Sequence, residues 1–88
     1  MERSPACHSV YTECEKLIDD ETVVLSPCHI GVLEQAINLI MVGSYGRAAE
    51  LVEQVRKGQI DPVVMQEAAT RPTMSRKALK AFLHSVAC

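Results

Sequence analysis

The stretch SPCHIGVLEQAINLIMVGSYGRAAELVEQVRKG, residues 26–58, reads as two helices joined by a tight turn. Ser26 accepts hydrogen bonds from first-turn amides, and Pro27 occupies the position where a missing N–H costs nothing. The helix that follows runs to Val42. Ile30, Leu33, Ala36, Ile37, Ile40 and Met41 share one face, while Val32 and Leu39 lie on another. A helix apolar on more than one side is central and buried. Gly43 ends it, because glycine takes the left-handed conformation at a helix C-terminus without a steric penalty. Ser44 is expected to cap the next helix, Tyr45 to Lys57, with Ala48, Leu51, Val52 and Val55 inward and Arg47, Glu50, Gln54, Arg56 and Lys57 outward. Gly58 stops it. So short a turn forces the helices, residues 30–57, into an antiparallel hairpin.

Working outward, a first helix is expected over about Ser9 to Asp19, on the stripe Val10, Cys14, Leu17 and Ile18. Residues 1–8 are expected as an arm without regular structure. The acidic run Asp19-Asp20-Glu21 is unfavourable at the negative end of a helix dipole and marks the stop. Downstream, Asp61-Pro62 repeats the cap-plus-proline start for a short helix to Ala69. Thr70-Arg71-Pro72-Thr73 breaks the chain. A final helix, capped by Thr73 or Ser75, turns Leu79, Phe82, Leu83 and Val86 inward and Arg76, Lys77, Lys80 and His84 mostly outward. The expected fold is all-α, a small bundle of four to five helices in one domain spanning residues 1–88. Apolar residues make up 48% of the chain but only Tyr11, Tyr45 and Phe82 are aromatic, so the core is aliphatic, as suits helix-on-helix packing.

The net charge of −2 conceals an asymmetry. Residues 1–35 carry seven acids against two bases, and residues 36–88 four acids against seven bases. Such a polarity either draws the two ends together or orients a partner; its plainest reading is a solvated surface. No apolar run follows Met1-Glu2-Arg3-Ser4-Pro5, so a cytoplasmic location without a secretory signal is expected. The most apolar stretch, Ile30 to Val42, is interrupted by Glu34, Gln35 and Asn38 and falls short of the roughly 20 residues of a membrane span. Cys7, Cys14, Cys28 and Cys88 are accordingly expected as free thiols.

Ala36, Leu39, Gly43, Tyr45 and Ala48, followed by Val52 and Val55, reproduce much of the spacing of a tetratricopeptide repeat (TPR). Gly43 permits the turn, Ala48 lets the helices approach, and Tyr45 wedges between them. The hairpin is therefore TPR-like, although the aromatic usual near the start of the first TPR helix is absent. In its central segment, Leu33 to Val55, the chain is similar to the TPR-like chaperones of type III secretion needle subunits. That resemblance implies a concave surface holding the amphipathic C-terminal helix of a needle subunit, often beside a very small co-chaperone. One repeat cannot bury its own apolar face. Neighbouring helices or a partner must cover it.

Chemistry finds little support. Cys7-His8 and Cys28-His29 pair preferred zinc ligands, but adjacent residues diverge on a helix, and structural zinc sites space theirs two to four apart. No metal site, cofactor or catalytic residue is expected. Residues 71–88 carry four bases and no acid, which suits phosphate contacts, yet no aromatic interleaving accompanies them. A small nucleic-acid-binding regulator using this helix is thus the alternative to the leading expectation. That expectation is a non-catalytic chaperone or adaptor that binds an amphipathic helix of a protein partner through Leu33, Ile37, Ile40, Tyr45 and Leu51.

Overall fold

The computed structural model describes residues 5–70 and 74–86. They form an all-α bundle of five helices: α1 (Pro5–Asp19), α2 (Pro27–Met41), α3 (Tyr45–Lys57), α4 (Pro62–Ala69) and α5 (Arg76–His84). Helix α1 starts four residues earlier than its stripe suggested. Pro5 is tolerated in the first turn of a helix, and Cys7 extends the buried row Val10, Cys14, Leu17, Ile18 by one turn. Residues 1–4 of the expected arm lie outside the described residues.

Helix α2 begins with a reciprocal cap. The Ser26 hydroxyl accepts from the His29 amide at 3.3 Å, and His29 Nδ1 accepts from the Ser26 amide at 3.3 Å. Its other end closes on Gly43 at φ +86°. There the Gly43 amide donates to the Ile40 carbonyl at 3.1 Å and the Ser44 amide to Leu39 at 2.8 Å, which satisfies two carbonyls a helix end otherwise leaves unpaired. Gly58, at φ +75°, ends α3 with the same pair of bonds, to Val55 and Gln54. Ser44 does not cap α3 through its side chain. Asp61 caps α4 by accepting from the Val63 amide at 2.9 Å, and Gln54 of α3 holds the Asp61 amide at 2.8 Å. Ser75 caps α5, accepting from the Ala78 amide at 3.0 Å; Thr73 lies outside the described residues.

Helix α2 is the hub, packing against α1, α3, α4 and α5. Helix α1 also packs on α3 and α5, whereas among the described helices α4 packs on α2 alone. Close approach between α2 and α4 rests on Gly31. A Cβ built there would meet the Ala68 carbonyl oxygen at 3.0 Å and the Ala68 Cβ at 3.1 Å. Beside it, Gln35 Nε2 donates to Glu67 Oε2 at 2.7 Å.

Gly31→Ala should therefore destabilise the fold by about 1–3 kcal/mol, as overpacked contacts do. Gly46, by contrast, has nothing within 4 Å of its virtual Cβ. Gly46→Ala should leave stability unchanged or raise it by up to about 1 kcal/mol through helix propensity. Urea denaturation of the two variants measures the difference.

Candidate functional site

The residues expected to receive a partner helix lie in the interior. Leu33 and Ile37 have no exposed surface, and Leu51 and Ile40 retain only 1% and 2%. Tyr45 alone is half-buried, packed against the edge of the core. The expected concave face is thus corrected from a groove to a core. The physical reason is the apolar circumference of α2, each side of which meets another helix of the same chain. Gly43 and Ala48 hold the turn and the interior positions expected of them, Ala48 being fully buried.

Large apolar side chains reach solvent elsewhere. Val63 and Met65 of α4 are 62% and 39% exposed, and Met41 and Val42 stand out at the hairpin turn. Five of the eight residues of α4, PVVMQEAA, are apolar besides Pro62, yet only Val64 and Ala68 are buried. That surplus is the signal by which α4, already expected as a helix, could have been read as an exposed apolar surface: a helix this short and apolar cannot hide all its side chains against one neighbour.

The acidic first half and the basic last helix meet each other. Lys80 Nζ lies 2.6 Å from Asp19 Oδ1, and His84 Nε2 lies 2.9 Å from Glu15 Oε2. Arg76 donates to the Asp20 carbonyl at 3.4 Å and also to the Val23 carbonyl, tying α5 to the connector after α1. The Asp19 carboxylate, by hydrogen bonding and then by charge, raises the Lys80 pKa above the ordinary lysine value. Hydrogen bonds from Thr22 lower that of Asp20. Two of the bases expected to face phosphates are therefore occupied within the molecule. A groove of about 390 Å³ follows this seam, lined by Ile18, Asp19, Glu21, Arg76, Lys77 and Lys80. A second, of about 350 Å³, lies between α1 and α3, where Glu53 is paired with Arg56 and Lys57.

The cysteines are not equivalent. Cys7 is disulfide-bonded, correcting the expectation of four free thiols, while Cys14 and Cys28 are free. Cys14 is fully buried, and burial, reinforced by the Glu15 charge, pushes its thiol up to about 12. A thiol so held is protonated and a poor nucleophile. His29 serves the α2 cap. Among the described residues, no three His, Cys, Asp or Glu side chains are grouped to hold a metal ion, and no helix is long and apolar enough to cross a membrane. No family model, curated protein or solved structure matches the chain.

Cys14 makes stability sensitive to alkali. Its folded pKa lies above the ordinary 9.0, so its stabilising contribution is complete below pH 9 and is lost as pH rises towards 12. Cys14→Val should flatten the decline in stability across that window in a pH series of denaturation curves. In the native wild type, a thiol reagent should label Cys28 well before Cys14.

Proposed function

We propose that this chain is a non-catalytic protein-binding module that docks an amphipathic helix of a partner on the exposed apolar flanks of α4. The observation carrying this reading is the exposure of Val63 and Met65 on a helix that packs against α2 alone. Val63 and Met65 are two residues apart and so flank the buried Val64 on opposite sides of α4, each offering a single apolar anchor, and methionine adapts its shape to the side chain it meets. Covering two such side chains contributes a few kcal/mol, at about 25 cal/mol per Å² of apolar surface, before the cost of association. Gln66 lies on the outward arc between them, while Glu67 is bonded back to Gln35 of α2.

A narrower form of the proposal makes the chain an adaptor or chaperone like those of secretion needle subunits, acting in the cytoplasm. It is supported by the spacing of Gly43, Tyr45 and Ala48 alone. In this form the partner helix is the C-terminal helix of a needle subunit, with a small co-chaperone alongside. Its docking surface moves from the interior of the hairpin to α4, because Leu33, Ile37, Ile40 and Leu51 are already covered.

Both side chains are exposed, so the double variant Val63→Asp, Met65→Asp should change stability by no more than about 1 kcal/mol. It should nonetheless abolish co-purification of the helical partner. A folded double variant that still carries its partner would place the docking face elsewhere. Co-expression with a needle-type subunit tests the narrower form, which fails if the two do not form a complex.

A further inference from the structure

We propose that the disulfide of Cys7 runs to Cys88 and acts as a redox-set clamp, which in its closed form holds the turn after α5 against the start of α1. The chain has four cysteines, of which Cys14 and Cys28 carry free thiols while Cys7 is bonded. Geometry excludes Cys14 independently. It sits two turns further along α1, about 10 Å away, whereas bridged Cα atoms lie within about 7 Å of each other. Cys88, outside the described residues, is the cysteine that remains. The register of the helices brings it within reach. Lys80 lies beside Asp19 and His84 beside Glu15, so α5 runs antiparallel to α1, towards its N-terminus. From Glu15 back to Cys7 is about 12 Å of helix, and four residues beyond His84 extend up to about 13 Å. The chain already turns that way after α5. The amides of Ser85 and Val86 donate to the carbonyls of Phe82 and Leu83 at 3.1 and 3.0 Å, and Val86 is buried in the same apolar cluster as Cys7.

Closure oxidises two thiols. In exchange with glutathione disulfide, the S–H bonds of Cys7 and Cys88 break and one S–S bond forms between them, while two electrons and two protons leave with two molecules of reduced glutathione. Excess reduced glutathione runs the same exchange backwards. The clamp is therefore closed in an oxidising compartment and open in a glutathione-rich one. Cys14 takes no part, because burial keeps its thiol protonated. The structural effect is local. The turn at Ser85 and Val86 rests on two backbone hydrogen bonds and one buried valine side chain, whereas α2 is packed on four helices. Opening the bond frees the turn and leaves the bundle folded.

Both parts are tested on the full chain without any partner, so their outcome is separable from that of the α4 reading. The protein is purified without reductant, its free thiols are alkylated, and it is digested with trypsin with the disulfide intact. Mass spectrometry should find peptide 4–16 joined to peptide 81–88, with fragmentation placing the bond at Cys7 and Cys88. Alkylated Cys7, or a bond from Cys7 to Cys14 or Cys28, overturns the pairing. Hydrogen exchange then reads the switch. In excess reduced glutathione the amides of Ser85 and Val86 should exchange at least about tenfold faster than in the oxidised protein, while α2 and α3 keep their native chemical shifts. Cys88→Ser should show the fast exchange in either buffer. Cys28→Ser, which removes the more accessible free thiol, should respond as the wild type does. A bond that survives the excess of reduced glutathione, equal protection of Ser85 and Val86 in the two states, or unfolding of the whole chain on reduction overturns the clamp as a switch.

Discussion

Everything in this molecule depends on how the apolar circumference of α2 is kept from water. Ile30, Val32, Leu33, Ala36, Ile37 and Ile40 point in too many directions for one neighbour to cover. The antiparallel partner α3 covers only one side of it; α1, α4 and α5 cover the rest. The glycine at position 31 shows how close this cover comes, because the α4 backbone rests where a side chain would be. The result is a single aliphatic core reaching from Cys7 to Val86.

Electrostatics follows the same inward logic. The acidic first half and the basic last helix meet across α1 and α5 through the Lys80–Asp19 ion pair and the His84–Glu15 hydrogen bond, which form a rim rather than a buried network. Such pairs contribute little individually to stability, but they fix the direction and register of α5. The helix carrying the densest positive charge is thereby committed to the chain's own acidic helix, while α4, which packs on one helix among those described, keeps Val63 and Met65 exposed.

Much of the fold was legible because its boundaries are written in residues with one dominant physical role. Ser26-Pro27, Gly43, Gly58 and Asp61-Pro62 each act through local backbone chemistry, and the helices begin and end beside them. Departures arose where the deciding contact is remote in sequence. Nothing near Gly31 announces that Ala68 will pack on it, nothing near Cys7 announces a disulfide, and Asp19 reads as a helix stop rather than as the partner of Lys80. His29 was open to a zinc reading until its ring was seen to complete the α2 cap. The candidate site suffered most. Periodicity identifies Leu33, Ile37 and Leu51 as apolar-face residues but does not say whether a neighbouring helix or a partner covers that face, and here neighbouring helices do.

The claim that the lone hairpin is completed within its own chain is tested most directly by methyl-resolved nuclear Overhauser measurements on the isolated protein. The account predicts cross-peaks from Leu33, Ile37, Ile40 and Leu51 to methyl groups outside the hairpin, in a monomer whose Cα radius of gyration is near 12.0 Å. An isolated chain that lacks those cross-peaks, and gains them only when a partner helix is added, would contradict it.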